Sequence, residues 1–418
     1  MITVGYDFGT HQTKICIEQK EGVELEYSFY KWKDLKGNMQ YTIPSIIHIS
    51  DDGLLSYGYI QQSKRDSIIR YFKQNTFFAK ENELDPFNND YLRYSIWYTA
   101  YILFNMEKVY GNEFSIQMGV PTDGRRLQLR KEIAVTIIVS AYRLVEDIFE
   151  GNLDKFLRTP IDMLRKLTKI IQYSKSIKDE YSILVFPEAY ACLKPLISFS
   201  KISNGMSLMI DIGGGTTDIS FFTIENNKPQ VYDYYSIDKG LNFLVNYALY
   251  DVNDNRIDST IKTRNQISMK NRTELINDIA HVVCSLISRL ESEFTKQSDL
   301  SIHRLRDALK TRPVIYTGGG STFEIMRSQY SGFIDVIPVT DREWKKEYIK
   351  DIDEIKTLGL CPILSTAYGL SISVASDDIK CLPFSDIFRS LRKEDYAKQL
   401  HISHNYDFDY GTDYDALK

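Results

Sequence analysis

The chain has 418 residues, 43% of them hydrophobic, a size that predicts about two to three domains with sizeable apolar cores. Lys and Arg number 51 against 56 Asp and Glu, and the resulting net charge of −5 argues against nucleic acid or an anionic membrane as a direct partner. The five cysteines include no CxxC pair, and neither a signal peptide nor a long apolar segment is recognisable, so we expect a cytoplasmic protein without a disulfide framework.

The chain opens with two short strand-like runs, residues 2–7 and 14–18, joined by a polar turn that contains a glycine. The same pattern returns as residues 207–211 and 219–222, now joined by a turn with three consecutive glycines. Two hairpins of one pattern, some two hundred residues apart, predict an internal repeat. We therefore expect two related lobes.

Helical spacing of apolar residues marks segments 128–150, 162–173 and 273–297 between and after these hairpins. Residues 312–317 then form a strand-like run that ends in a second glycine triplet. Strands that alternate with helices predict the α/β class. The last fourteen residues are acidic and aromatic without periodicity, and we interpret them as a loose tail.

The glycine turns are suited to phosphate, because glycine lets backbone N–H groups approach an anion closely. Such a run is also compatible with a simple turn, so the neighbouring acids matter. Asp211 ends an apolar strand, where a carboxylate is costly unless it holds a metal or water, and Asp7 occupies the matching place in the first hairpin. Two carboxylates that face one site suit a hydrated Mg²⁺.

These motifs resemble those of the actin and 70-kilodalton heat-shock chaperone ATPase superfamily. Residues 7–14 resemble its first phosphate motif, 211–218 its second, and 317–321 its adenosine motif, while 186–191 and 366–370 resemble its two connecting helices. All five occur in the family's order and at roughly its spacing. The resemblance, which spans residues 2 to about 375, implies a two-lobed actin-like, ribonuclease-H-like α/β fold with duplicated lobes and a nucleotide cleft between them.

The chaperone branch is the more similar in local sequence, through residues 41–47, 57–58 and 71–73. This resemblance implies that Lys73 contacts the transferred phosphate, although a solvated surface lysine is the alternative. Lys14 instead follows the actin-like pattern, in which a lysine of the first hairpin reaches the phosphates. His11 stands where chaperones place a second hydroxyl. No β-rich peptide-binding domain is recognisable after residue 375.

The resemblance also implies where the two lobes begin and end. Lobe I is expected at 1–197, with a helical insertion at about 150–180, and lobe II at 198–358. A return helix at 359–375 and a C-terminal extension at 376–418 complete the expected organisation.

By the same resemblance, the cofactors are ATP or ADP and Mg²⁺, with Asp7 and Asp211 positioning the metal through water and Asp211 or Glu188 orienting the attacking water. The catalytic residues implied are Asp7, Lys73, Glu188, Asp211 and Thr216. The nucleotide-binding residues implied are Gly9, Thr10, Thr13, Lys14, Gly213, Gly214, Gly215, Thr217, Gly318, Gly319, Gly320 and Ser321.

Three functions are compatible with these motifs. The first is a chaperone-like ATPase without a peptide-binding domain, in which nucleotide-driven lobe closure signals to a protein partner or client. The second is an actin-like, filament-forming ATPase of the plasmid-partitioning type, which would associate with copies of itself. The third is a small-metabolite kinase of the same fold.

Overall fold

The computed structural model describes residues 1–59, 68–78, 89–122, 126–171, 181–198, 205–225, 228–245, 266–297, 302–310, 312–328, 335–338, 348–374, 376 and 382–383. The fold is mixed α/β. The strands are β1 (Ile2–Asp7), β2 (Gln12–Glu21), β3 (Glu24–Phe29), β4 (Trp32–Lys33), β5 (Met39–Gln40), β6 (Ile43–Pro44), β7 (Ile47–Ile49), β8 (Leu55–Tyr57), β9 (Ile68–Ile69), β10 (Phe114–Val120), β11 (Ile183–Pro187), β12 (Gly205–Ile212), β13 (Thr217–Glu225), β14 (Lys228–Ile237), β15 (Pro313–Thr317) and β16 (Asp335–Pro338).

The helices lie between and after these strands. They are α1 (Phe72–Phe78), α2 (Asp90–Tyr110), α3 (Leu127–Arg143), α4 (Leu153–Leu157), α5 (Ile161–Lys169), α6 (Glu188–Ser198), α7 (Leu241–Leu244), α8 (Met269–Gln297), α9 (Ile302–Leu309), α10 (Ile352–Thr357) and α11 (Cys361–Ser371). A π-helical turn (Leu144–Ile148) continues α3. No helix in the described part of the chain is long and apolar enough to cross a membrane.

Two larger sheets organise the described residues, and they have the same topology. The first runs in the order β11-β10-β1-β2-β3, with β6 paired to β2, and the second runs β14-β13-β12-β15-β16. In each sheet the leading strand pairs antiparallel with the next strand in the chain and parallel with a later one. The predicted internal repeat is therefore present in strand order and strand direction.

Alternate side chains of β12 pack into two different hydrophobic cores, one on each face of the second sheet. Leu208, Ile210 and Ile212 point into the core of the second half, whereas Met209 belongs to the large core of the first half. Strand side chains alternate between the two faces of a sheet, so both faces of β12 are buried. Its polar end at Asp211 is thereby fixed in position.

The predicted helices are present, with changed ends. Segment 128–150 forms α3 up to Arg143, and the π-helical turn then carries the chain to Ile148. Segments 162–173 and 273–297 correspond to α5 and α8, and the expected insertion contains α4 and α5. The loose tail lies outside the described residues, as does nearly all of the expected C-terminal extension.

Helices α6 and α11 cross each other at very close range. A Cβ atom at Gly369 would lie 1.7 Å from the backbone oxygen of Ala191, and one at Gly5 of β1 would lie 2.4 Å from the backbone oxygen of Ala367. Only glycine permits these approaches. They fix the first residue of α6, Glu188, beside Gly119 at the end of β10.

Candidate functional site

The first turn connects β1 to β2 and is held by backbone and hydroxyl contacts. Gly9 N–H donates to the Asp7 carbonyl at 3.0 Å, and the Ser45 hydroxyl donates to the Gly9 carbonyl at 2.6 Å. Ser45 N–H donates to the His11 carbonyl at 2.8 Å. These bonds hold the turn residues in place at the end of a buried strand.

The second turn connects β12 to β13 in the same way. Gly213 N–H donates to the Thr216 carbonyl at 2.9 Å. The carbonyls of Gly213 and Gly214 accept from the backbone of Leu241 and Asn242, each at 2.9 Å. The start of α7 therefore anchors the back of this turn.

The registers of the two hairpins place opposite kinds of partner beside the two aspartates. Asp7 pairs across the strands with Lys14, and the Lys14 ammonium contacts the Asp7 carboxylate at 2.9 Å. Asp211 pairs across the strands with Asp218. Directly paired residues have their side chains on one face, so the first hairpin presents an ion pair and the second presents two acids.

A lysine and a glutamate complete the charged groups. Lys73, in the first turn of α1, contacts the Glu188 carboxylate at 2.6 Å. The side chains are 5% and 12% exposed, so this is a buried ion pair rather than a solvated lysine. Glu188 begins α6, where a carboxylate is favoured by the helix dipole.

The third glycine turn follows β15 and packs against Asp211. Gly318 has a φ of 78°, a conformation that favours glycine, and a Cβ atom there would lie 2.2 Å from Oδ1 of Asp211. Its N–H donates to the Pro362 carbonyl at the start of α11 at 3.2 Å. The third turn therefore lies against the strand end that begins the second turn.

The three glycine turns and the charged side chains of Asp7, Lys14, Lys73, Glu188, Asp211 and Asp218 line one cavity of about 180 Å³. Twelve residues predicted from the sequence lie on its wall: Asp7, Gly9, Thr10, Lys14, Lys73, Glu188, Asp211, Gly213, Gly214, Thr216, Gly318 and Gly319.

Five other predicted residues have packing contacts instead of cavity contacts. The Thr13 hydroxyl bonds to Ser45 at 3.1 Å, the Thr217 hydroxyl donates to the Lys239 carbonyl at 2.8 Å, and the Ser321 hydroxyl donates to the Gly318 carbonyl at 2.8 Å.

The remaining two are glycines packed against other parts of the site. A Cβ at Gly215 would meet the side chains of Thr10 and Gln74, and one at Gly320 would meet Ile212. These five residues shape the turns rather than line the cavity.

Eleven residues of the wall were given no role from the sequence, and two of them, Asp218 and His11, carry titratable side chains. Asp218 was part of the second motif but was given no role, and His11 was noted only as a departure from the chaperone pattern. The Asp218 position could have been found from the hairpin, because an antiparallel register with this turn places it opposite Asp211.

Burial and repulsion between neighbouring carboxylates raise the pKa values of Asp211 and Asp218. Burial, and then the charges of Asp218, Glu188 and Asp7, raise the pKa of Asp211 to about 8, against a smaller opposing effect of Lys14. Burial and the charge of Glu188 raise the pKa of Asp218 to about 7. In the absence of a cation, Asp211 is therefore mostly protonated at neutral pH and Asp218 is about half protonated.

The pKa of Lys14 in the first hairpin is also raised, which for a lysine favours the charged form. Burial alone would lower the pKa of the Lys14 ammonium, but the charge and hydrogen bond of Asp7 outweigh burial and hold that pKa above its usual value. Lys14 therefore stays cationic at the cavity.

The donor set fits a hydrated divalent cation rather than a directly ligated one. Asp218 Oδ1 is buried and has no hydrogen-bond partner among the described residues. The described part of the chain contains no group of three or more His, Cys, Asp or Glu side chains arranged to hold a metal. Mg²⁺ takes one or two carboxylates and keeps several waters, so the acids present suit it.

Comparisons with known proteins give little further guidance. No protein-family model matches the sequence. No curated protein matches it either. A solved structure entitled "MamK double helical filament" is similar at 12% sequence identity and a TM-score of 0.45, over 88% of this chain and 97% of that chain.

Proposed function

We propose that the protein binds Mg²⁺·ATP in this cavity and hydrolyses it, as an actin-like ATPase with a nucleotide cleft between two lobes. The observation that carries the proposal is the meeting of two topologically equivalent glycine turns, each behind an aspartate at a strand end, around one cavity with two lysines. Backbone turns of this kind bind phosphate, and lysines neutralise its charge.

The residues have separable roles in this proposal. Gly9, Gly213 and Gly214 would present backbone to the phosphates, and the hydroxyls of Thr10 and Thr216 would hydrogen bond to them.

The cationic and adenosine contacts come from other residues. Lys14 would neutralise phosphate oxygens, because its ammonium is charged and lines the cavity. Gly318 and Gly319 would pack against the adenosine.

Three acids would hold the metal through water. Asp7 and Asp211 were predicted from the sequence, and Asp218 joins them because its unpartnered oxygen is buried at the same cavity. Bound Mg²⁺ would supply positive charge to phosphate oxygens and to these carboxylates.

Of the two candidates for orienting the attacking water, we favour Asp211. Glu188 is already held by Lys73 at 2.6 Å. Burial and neighbouring acids raise the pKa of Asp211 in the empty cavity, and a bound cation would ionise this carboxyl and leave it able to accept a proton from water. Lys73 in turn would orient Glu188 and place positive charge near the reacting phosphoryl group.

The test is calorimetric titration with Mg²⁺·ATP followed by a hydrolysis assay on Asp211→Asn. We expect the variant to bind Mg²⁺·ATP but to hydrolyse it at least about 100-fold more slowly than the wild type, because it loses a group that acts mainly in the transition state. Asp52→Asn, which changes an exposed carboxylate in a turn, is the matched control. Wild-type protein that binds no nucleotide, or equal hydrolysis by both variants, would reject the proposal.

For the use of the nucleotide cycle, we place the actin-like filament ahead of the chaperone-like signal. Lys14 lines the cavity, where the actin-like pattern expects a lysine that reaches the phosphates. Light scattering and negative-stain microscopy at micromolar protein would distinguish the two. Polymers that form with ATP and persist longer in Asp211→Asn support the filament, whereas no polymer under either condition rejects it.

A further inference from the structure

His11 lies where the two glycine turns touch. Its imidazole belongs to the first turn, and a Cβ atom at Gly214 of the second turn would lie only 2.2 Å from its Cδ2 atom. The His11 carbonyl accepts from Ser45 N–H at 2.8 Å, which fixes its backbone. His11 therefore bridges two segments that are two hundred residues apart in the chain.

The same ring contacts the segment that carries Lys73. Tyr71 meets His11 edge-on, with ring centroids 5.6 Å apart and planes at 86°. Tyr71 has a φ of 59°, a strained value for a residue with a side chain, and it directly precedes α1. One imidazole thus contacts the second turn and the entry to the helix that carries the Lys73 ammonium.

The imidazole is neutral and has an unused polar atom. Burial lowers the pKa of His11 to about 4, a hydrogen bond with Asn242 acts in the opposite direction, and the charges of Arg70 and Lys14 add to the lowering. Its Nε2 atom is shielded from solvent and has no hydrogen-bond partner among the described residues, although the residue lines the cavity. A buried polar atom without a partner is costly, and because His11 lines the cavity, a ligand bound there could supply the partner.

We propose that Nε2 of His11 hydrogen bonds to the terminal phosphate of a bound nucleoside triphosphate and makes the site favour triphosphate over diphosphate. The inference rests on the proposed function, because it concerns the same cavity. A neutral imidazole carries one N–H, so in this proposal Nδ1 accepts from the amide of Asn242 and the Nε2–H donates to a phosphate oxygen. The terminal phosphate is the group in question, because His11 contacts both turns and the residue before the Lys73 helix.

The test compares affinities for a non-hydrolysable ATP analogue and for ADP, each with Mg²⁺, in wild type and His11→Ala. A hydrogen bond to a charged group predicts a roughly 10- to 100-fold loss for the triphosphate in the variant. For ADP we expect a change below about twofold, since it lacks the contacted group. His281→Ala, which removes an exposed histidine from α8, is the matched control and should change neither affinity.

The outcomes separate this inference from the proposed function. Wild type that binds neither ligand rejects the proposed function itself. Wild type that binds both, with equal losses for the two ligands in His11→Ala, leaves the proposed function intact and overturns the inference, because His11 then only packs the turn.

A second measurement uses wild-type protein and does not depend on the folding of a variant. Nitrogen-detected NMR of the six histidines should show a protected Nε2–H signal with the triphosphate analogue and not with ADP. His11→Gln, which keeps a side-chain N–H of similar length, should retain more of the triphosphate preference than His11→Ala and identifies the signal by its loss. Identical histidine spectra with both nucleotides would overturn the inference.

Discussion

Substitution of Asp211 by Asn should stabilise the ligand-free protein as well as slow hydrolysis. Asp211 is 8% exposed, and its cross-strand neighbour is a second acid, Asp218. Burial and the neighbouring acids raise its pKa from 3.8 to about 8. The ionised carboxylate is therefore disfavoured in the folded state, and asparagine has the same shape without the charge.

The sign of the pH dependence follows from the raised pKa. Below about pH 4 the carboxyl is protonated in both the folded and the unfolded chain, so the substitution has little effect there. As the pH rises towards 8, the unfolded chain ionises freely and the folded one does not, so wild-type stability falls relative to the variant. A pKa raised by about four corresponds to at most about 6 kcal/mol.

The expected gain in the free energy of unfolding is smaller than this limit of about 6 kcal/mol. Asp218 also holds a proton over part of this range, since its pKa is raised to about 7, and that proton relieves some of the repulsion. We therefore expect Asp211→Asn to raise the free energy of unfolding by about 2–3 kcal/mol at pH 8 and by less than about 0.5 kcal/mol at pH 4.

Thermal melts from pH 4 to pH 9 test this, without nucleotide and with Mg²⁺·ATP. The gain should shrink with Mg²⁺·ATP, because a bound cation favours the wild-type carboxylate. The exposed control Asp52→Asn should change the melting temperature little at any pH. A pH-independent difference between wild type and Asp211→Asn, or a variant that is less stable throughout, would refute the electrostatic reasoning.

Three further predictions concern the charged groups and the helix crossing. Lys14→Ala should weaken Mg²⁺·ATP binding by roughly tenfold or more, whereas Lys73→Ala should mainly lower turnover, by roughly 100-fold, and calorimetry beside a hydrolysis assay would show whether the two effects separate. Mg²⁺·ATP binding at pH 7 should release about one proton from Asp211 and Asp218 together and almost none at pH 9, as measured by calorimetry in buffers of different ionisation enthalpy. Gly369→Ala should destabilise the protein by about 3 kcal/mol or more, because the facing helix backbone would have to move; a melting temperature equal to that of wild type would contradict the close contact between α6 and α11.

The strands and helices that surround the site were predictable because their periodicities are strong. The β1–β2 and β12–β13 hairpins follow from alternating apolar residues on either side of a glycine turn. The π-helical turn after Arg143 was not predictable, since its apolar spacing continues the helical pattern. Twelve wall residues were found because the motif residues are contiguous in the chain and the sheets bring the turns together.

The residues whose surroundings the sequence did not predict depend on contacts between distant segments. Thr13 has the hydroxyl that a phosphate site uses, but its neighbour Ser45 in space lies 32 residues away in the chain. His11 is an ordinary polar residue in a turn until Gly214 and Tyr71 are brought against it. Neither contact leaves a signal in local composition or spacing.

The two hairpins share one topology, but the residue that pairs with the aspartate has a different charge in each, so we expect the hairpins to contact different parts of the ligand. The residue seven positions after the strand-end aspartate is Lys14 in the first hairpin and Asp218 in the second, and in both hairpins it is the cross-strand partner. Loss of the Asp7 charge would leave the Lys14 ammonium buried without its partner, whereas loss of the Asp211 charge relieves a repulsion. The charges of Asp7 and Lys14 in the first hairpin thus neutralise each other before any ligand binds, and the Lys14 ammonium can contact phosphate. The two acids of the second hairpin are neutralised only when a cation binds.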